Sequence, residues 1–447
     1  MKKNNVRETA LETLLMIEKN QAYSHLLLNS MIKKHGVKEI DIPLLTEIVY
    51  GTLQRRDTLD FYLAPFIKNA KKTEQWVQNL LRLSVYQMVY LDRVPERAVF
   101  HEAVEIAKHR GHKGIASFVN GILRSIQRQG LPSTAEIKDE AERIAVETSF
   151  PLWLVKRWIS QLGANDAKKM CEATLTPPSV SARVNLMKNT RGELMERLLA
   201  KGFQIEEGDL TADAIKSLKG SLVQTEEFKE GRFTIQDESS MLVARTLAPE
   251  KGDAVLDACA APGGKSTHIA EILENTGTVY SLDLHTHKVS LITEQAERLG
   301  LTNIKTEAMD SRKVHERFKN EQFDKILVDA PCSGLGVVRR KPDIKYTKSA
   351  EDVKRLSQIQ LEILSSAAPL LKKGGTLVYS TCTIDSEENG QVVDKFLAEH
   401  SEFELDSAMA DRLPEAAKPY ADGGQVQILP HYFGTDGFYI ASLRKKV

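Results

Sequence analysis

From Phe233 onward, short apolar runs alternate with longer amphipathic stretches. AVLDAC (254–259), TVYSLDL (278–284), IKTEAMD (304–310), KILVDA (325–330) and TLVYSTC (376–382) are separated by helix-like segments such as 287–299 and 351–371. Strands connected through helices argue for a parallel sheet covered on both faces, because a parallel connection has to cross over the sheet. The expected fold of this part is α/β, with GFYIASLR (437–444) as its last strand candidate. Open sheets of this kind bind ligands at the carboxyl ends of their strands. The residues that follow each run are therefore the ones to read for chemistry.

The first 130 residues follow another rule. Apolar residues recur at three-to-four spacing in 7–18, 44–53, 77–91 and 99–108, which is the signature of packed helices. QGLPS (129–133) punctuates the end of this bundle, and Pro151 suits the first turn of a new helix. TPPS (176–179) then precedes a strand-like SARVNLM (181–187), a helical 191–201 and short β-like pieces up to about Phe233. The expected organisation is three domains: an all-α bundle over 1–135, a small α+β linker module over 145–228 and the α/β domain over 229–447. At 447 residues the chain is long enough for that number of cores.

Charge and cysteine usage narrow the class. Net charge is zero, yet residues 1–130 hold 20 basic against 13 acidic side chains, an excess of seven that the remainder balances. A basic module joined to an acidic one points to a polyanionic partner, although solvated helix faces give similar counts. No run of about 18 apolar residues occurs, and the first residues lead into charged helix-like sequence with no apolar leader. The expectation is a cytoplasmic protein, monomeric and without a membrane segment. Its four cysteines, Cys171, Cys259, Cys332 and Cys382, include no CxxC pair. They fit neither a disulfide framework nor a metal site, and thiol chemistry stays available.

The turn AAPGGK (260–265) lies between the first strand and the first helix of the α/β domain. Small residues there let backbone amides approach a ligand that faces a helix N-terminus. A dinucleotide fingerprint would need GxGxxG, whereas only Gly263 and Gly264 are present, side by side. A P-loop is the nearer rival, since Gly264, Lys265 and Ser266 end like one. Its first glycine would fall on Cys259, and Pro262 removes an amide that a phosphate cradle uses. S-adenosylmethionine accounts for more of the residues. Asp257 lies before the loop, Asp283 ends the second strand where a carboxylate can accept from ribose hydroxyls, and Asp310 ends the third near where an adenine amino group would lie. Each acid alone could be a helix cap, so the weight rests on their joint placement.

Two cysteines directly follow apolar runs, Cys332 in DAPCSG (329–334) and Cys382 in STCT (380–383). One such cysteine would by default be a small core hydrophobe. Two at the ligand-binding rim suggest a thiol nucleophile. Carbon 5 of cytosine is a poor nucleophile, and a thiolate added to carbon 6 turns the ring into an enamine that can accept a methyl group. Asp329, three residues before Cys332, can supply a proton or hydrogen bond to ring nitrogen 3. A second thiol can help the adduct break down.

The order of the N-terminal helices, the Arg7, Ala10 and Leu14 face and SFVNGILR (117–124) resemble the NusB RNA-binding fold, although Asn120 and Arg124 could equally be helix-packing and solvated positions. Across the whole chain, FTIQDESS (233–240), DACAAPGGK (257–265), DAPCSG, STCT and GTDGFYIA (434–441) stand in the order found in Sun-type (RsmB, Fmu) RNA cytosine-5 methyltransferases. The resemblance implies a NusB-like domain, a linker module and a Rossmann-like class I methyltransferase domain. It also implies a division of labour that spacing does not show: Cys382 as nucleophile and Cys332 in product release, where a DNA-type arrangement would have the Pro-Cys residue attack. It carries Lys265 and Asp329 into the active site. To the S-adenosylmethionine pocket it carries Cys259, Ala260, Ala261, Pro262, Gly263, Gly264, Lys265, Asp283, Asp310 and Asp329. The implied substrate is RNA, of the small ribosomal subunit. A histidine often stands before the glycine of the last motif; here the segment is FGTDG, with His431 nearby and its role open. The different-class alternative is a non-enzymatic RNA-binding or antitermination factor, which the bundle alone would suggest.

Overall fold

The computed structural model describes residues 5–20, 24–68, 72–318 and 323–447, with the side chains of 20 and 24–26 left aside. Residues 1–4, the first part of the charged amino-terminal stretch, lie outside it. The chain forms two compact units, Met1–Thr176 with Val338–Thr347, and Pro177–Val337 with Lys348–Val447.

The first unit is helical among its described residues. The helix Gln75–Tyr90 lies at its centre, with Val77, Leu80, Leu81, Leu83 and Val85 buried. Around it pack Leu11 and Leu14 of Val6–Asn20, Leu45, Ile48 and Val49 of Ile42–Gln54, and Ile106 and Ala107 of Glu96–Arg110. The one arginine that the central helix buries, Arg82, donates from Nε and Nη2 to both oxygens of Asp60 at 2.7 and 2.8 Å, and from Nη1 to Glu18 at 3.1 Å. Paired, hydrogen-bonded burial of this kind is what makes an interior arginine tolerable. In Lys113–Gln129 the residues Val119, Ile122 and Leu123 face inward while Phe118, Asn120 and Arg124 stay exposed. The Arg124 guanidinium lies 4.7 Å over the Phe100 ring.

Helices Glu140–Thr148, Leu152–Leu162 and Ala164–Ala173 belong to the helical unit. Trp158, 1% exposed, meets Phe150 edge-on at 5.2 Å there. The segment 338–347 also belongs to it, although it follows the Cys332 motif in sequence. Lys345 is fully buried, donating to Gln54 O at 2.7 Å with its ammonium 4.5 Å over the Phe150 ring. Tyr346 Oη bonds Ser149, and Arg56 covers the Tyr346 ring at 3.5 Å.

The second unit holds two sheets. Strands β1 (Val180–Val184), β2 (Gln204–Glu207), β3 (Ala214–Lys219) and β4 (Phe233–Ile235) form an antiparallel sheet in the order β2-β3-β1-β4, backed by the helix Arg191–Ala200. Thr190 and Glu193 close a capping box on that helix. The larger sheet contains β5 (Ala254–Asp257), β6 (Thr278–Asp283), β7 (Ile304–Ala308), β8 (Phe323–Asp329), β9 (Leu371–Thr381), β10 (Phe403–Leu405), β11 (Ala421–Asp422), β12 (Gln425–Ile428) and β13 (Phe438–Lys445). Its order is β11-β12-β13-β9-β8-β5-β6-β7, with β10 against β13. The five strands β9-β8-β5-β6-β7 are parallel and the rest are antiparallel. The expected parallel sheet is thus its core, with an antiparallel extension beside β9.

Continuous apolar runs follow from burial on both faces. Leu256, Ile326 and Val328 point to a cluster with Ile363 and Leu364, while Val255, Leu327 and Val378 point to one with Leu242 and Ile269. Strand order reverses at β5, which has β6 on one side and β8 on the other. That reversal opens the crevice in which α/β sheets bind ligands.

Candidate active site

The chain leaves β5 through Ala258 and turns into the helix Gly264–Ile272. Ala260 N donates to Leu282 O and Gly263 N to Ala260 O, both at 2.7 Å, which ties the turn to β6 and to itself. Gly263 has φ +107°, and a Cβ there would sit 3.1 Å from Ile292 Cα, so both backbone conformation and space call for glycine. Asp257 is fully buried, accepting from Ser266 Oγ at 2.6 Å and from Cys259 N at 3.4 Å. Burial, with Asp329 adding to it, pushes its carboxyl up to about 7.

Asp329 ends β8 opposite Ser380 of β9. Its Oδ2 accepts from Lys265 Nζ at 2.7 Å and its Oδ1 from Ser380 Oγ at 2.8 Å. Burial works to lower the Lys265 pKa, but the Asp329 carboxylate outweighs it and the net shift is upward. Beyond the strand ends, Cys332 Sγ and Cys382 Sγ lie 3.3 Å apart. The shared hydrogen bond with Cys382, and then burial, raise the Cys332 thiol well above its usual range.

The loops carrying the two thiols are stitched together. Gly336 N donates to Cys382 O at 3.0 Å and Gly437 N to Gly336 O at 2.8 Å. A Cβ on Gly336 would lie 2.0 Å from Gly437 O. Buried Glu388 accepts from Ser333 N at 2.8 Å, from Ser333 Oγ and from Gln360 Nε2 at 3.0 Å, while Gln360 Nε2 also reaches Pro331 O at 3.0 Å. Sequence reasoning passed over Glu388 and Gln360. The signal available for the first was the polar run DSEEN (385–389), one residue beyond the STCT motif.

A third overlooked residue is Arg183 on β1, fully buried. It grips Glu271 with Nε and Nη2 at 3.1 and 2.9 Å, and donates to Thr267 Oγ1, Gly264 O and Gln236. The guanidinium therefore braces the first turn of the helix that carries Lys265, and its planar fork is what allows so many partners at once.

Two cavities meet at these groups. A cleft of about 440 Å³ is lined by Cys259, Ala261, Asp283, Asp310, Asp329, Cys332 and Cys382, with Leu284, Met309 and Ile359 as apolar wall. A second of about 230 Å³ is lined by Ala260, Ala261, Pro262, Gly264, Lys265, Asp329, Cys382, Gln236 and Phe438. Ala261, Asp329 and Cys382 belong to both. Every expected residue thus lies on one cavity or both except Gly263, which makes the turn, and Asp257, which is buried beneath it. The larger cleft suits a nucleoside-bearing donor, since the Asp283 carboxylate stands at a strand end on its wall beside the close-approach backbone of the turn. Asp310 lines it too, held by Arg312 at 2.7 Å, which lowers its pKa. His431 sits on the short helix Pro430–Phe433 and lines neither cavity. Among the described residues no group of His, Cys, Asp and Glu is arranged to hold a metal, and no helix is long and apolar enough to cross a membrane.

Comparison with known proteins agrees with this architecture. The family model for 16S rRNA methyltransferase RsmB/F matches residues 244–444, that for the NusB family 4–128, and that for the RsmF/B-like ferredoxin-like domain 150–223. A probable ribosomal RNA small subunit methyltransferase B of Bacillus subtilis is 59% identical over the full length of both chains. A ribosomal RNA small subunit methyltransferase B of Klebsiella pneumoniae is 35% identical, again over 100% of each. Among solved structures, that of PH0851 covers 98% of each chain at 27% identity with a TM-score of 0.81.

Proposed function

Because the chain belongs to the 16S rRNA methyltransferase RsmB/F family, we propose that it methylates carbon 5 of a cytosine in small-subunit ribosomal RNA through a covalent bond to Cys382. That it is an S-adenosylmethionine-dependent methyltransferase of ribosomal RNA follows from the family. The finer reading rests on one observation above all: Cys382 and Asp329 stand on the wall shared by two cavities. Methyl donor and target base need such an arrangement, each with its own space and both within reach of one thiol.

S-adenosylmethionine, when bound, supplies an electrophilic methyl group. The chain's own residues do the rest. The base enters the smaller cavity beside Lys265 and Phe438, after being turned out of any helix that holds it. Cys382 Sγ adds to carbon 6 while Asp329, steadied by Lys265 and Ser380, holds a proton at ring nitrogen 3. After methyl transfer a water molecule takes the carbon 5 proton, the electron pair left behind forms the carbon 5–carbon 6 double bond, and the carbon–sulfur bond breaks to return Cys382 as thiolate. Cys332, 3.3 Å away, assists this last step. The exposed face of Lys113–Gln129 and the basic excess of the bundle support RNA contact by the helical unit. The protein works as a monomer in the cytoplasm, where its ribosomal RNA substrate lies. Family membership along the whole chain disfavours a purely RNA-binding factor.

The test uses Cys332→Ala and Cys382→Ala with 16S rRNA. Cys332→Ala should methylate and then release slowly, leaving a protein–RNA species that survives denaturing electrophoresis. Cys382→Ala and the double variant should form none, since the trap needs the nucleophile. An adduct that persists in Cys382→Ala and vanishes in Cys332→Ala would reverse the roles.

A further inference from the structure

The 3.3 Å separation of Cys332 Sγ and Cys382 Sγ brings two thiols close to bonding distance in a place that small molecules reach. A disulfide needs about 2.0 Å between sulfurs, so side-chain rotation has little left to close. Gly336 N on Cys382 O and Ser333 Oγ against Thr383 Oγ1 at 3.0 Å already hold the two loops side by side. Both cysteines are partly exposed and both line the larger cleft.

The other two thiols are placed differently. Cys171 is fully buried in the helical unit, and burial pushes its thiol up to about 12. Burial and the carboxylates of Asp257, Asp329 and Asp283 hold the Cys259 thiol well above its usual range. Cys382, by contrast, shares the wall of the smaller cavity with Lys265. The thiolate is the reactive form.

We propose that Cys332 and Cys382 are a peroxide-reactive pair that closes into a reversible disulfide. In the first step Cys382 thiolate attacks one oxygen of hydrogen peroxide. The sulfur–oxygen bond forms, the oxygen–oxygen bond breaks, and the leaving hydroxide takes a proton to become water. Cys382 is now a sulfenic acid. In the second step Cys332 attacks that sulfur, the sulfur–sulfur bond forms, and the hydroxyl leaves as a second water with the Cys332 proton. With hydrogen peroxide the balance is two thiols and one peroxide giving one disulfide and two waters, and a dithiol reductant reverses it. The disulfide itself is independent of the catalytic roles proposed above. Its consequence, silencing of methyl transfer by occupation of the nucleophile, rests on them.

The experiment treats the full chain with hydrogen peroxide, blocks remaining thiols and reads intact mass, cross-linked peptides and methyl transfer to 16S rRNA. Expected are a loss of about 2 Da with no oxygen retained, one linked pair of peptides containing Cys332 and Cys382, and two titratable thiols remaining of the four present. Methyl transfer should fall at least about tenfold and return with dithiothreitol. In Cys332→Ser, which has no resolving thiol, Cys382 should instead gain about 32 Da as sulfinic acid, with no recovery on reduction. A link through Cys259, or oxygen addition to Cys382 in the unaltered protein without any disulfide, would overturn the proposal. A Cys332–Cys382 disulfide with undiminished methyl transfer would leave the modification standing and remove Cys382 as nucleophile.

Discussion

Lys265 Nζ lies 2.7 Å from Asp329 Oδ2 on the wall of the smaller cavity, with both side chains largely shielded from solvent. A partly buried pair loses more when one partner is removed than when both are, because the survivor keeps its desolvation cost. Asp329→Asn should therefore reduce kcat by about a hundredfold and also lower the Lys265 pKa, while cofactor affinity changes far less. Single-turnover methylation beside equilibrium cofactor titration separates the two. Equal losses in both would make the pair a part of the cofactor site alone.

A different test concerns Asp257, whose carboxyl is pushed up to about 7 in the fold. The unfolded chain has it near the ordinary value of about 3.9. Between those limits the folded state stays protonated while the unfolded state ionises, so unfolding releases a proton and stability is lost as pH rises. Asp257→Asn can still accept from Ser266 Oγ and has no charge to bury. Its Tm relative to the unaltered protein should climb from about pH 4 to pH 7 and level off above. A difference that is flat across this range would show that Asp257 ionises normally.

Gly336→Ala places a methyl group where Gly437 O lies 2.0 Å and Cys382 O 2.7 Å away. Backbone atoms on both sides cannot swing aside as a side chain would. The loops must separate, costing about 1–3 kcal/mol by overpacking and shifting Cys382. Methyl transfer should fall more steeply than denaturant stability, and urea unfolding of the variant supplies the comparison.

Deleting residues 1–135 removes Gln54 and Arg56, which hold Lys345 and cover Tyr346. The larger cleft is built wholly from residues of the other unit. The truncated chain should bind S-adenosylmethionine nearly as before, bind RNA weakly with a flatter salt dependence, and be cut readily by proteases within 338–347. Protection of that segment in the truncated chain would show that it has another place to dock.

The parallel core was legible because its strands are buried on both faces, which leaves unbroken runs such as KILVDA. The strands β10, β11 and β12 were not, being two to four residues long and mixed in polarity. The Gly-rich turn and both cysteines could be read as motifs, since their chemistry is local in sequence. Glu388 and Arg183 act through partners far along the chain, and nothing in their own neighbourhoods marks a carboxylate that holds the Cys332 loop or a guanidinium that braces a distant helix. The membership of 338–347 in the helical unit is illegible for the same reason, as Lys345 and Tyr346 read locally as an ordinary polar stretch.

That membership has a consequence for the order in which the protein is made. A ribosome delivers the amino end first, and units fold as they emerge. Residues up to Thr176 are available early, but the places that Lys345 and Tyr346 fill at Gln54 and Ser149 must wait until β5 through β8 have also been synthesised. Until then the nascent helical unit carries an open seat beside Phe150 and Arg56. A growing chain stalled before position 347 should accordingly be bound by chaperones at this seat, and release from them should coincide with the appearance of the segment that closes it.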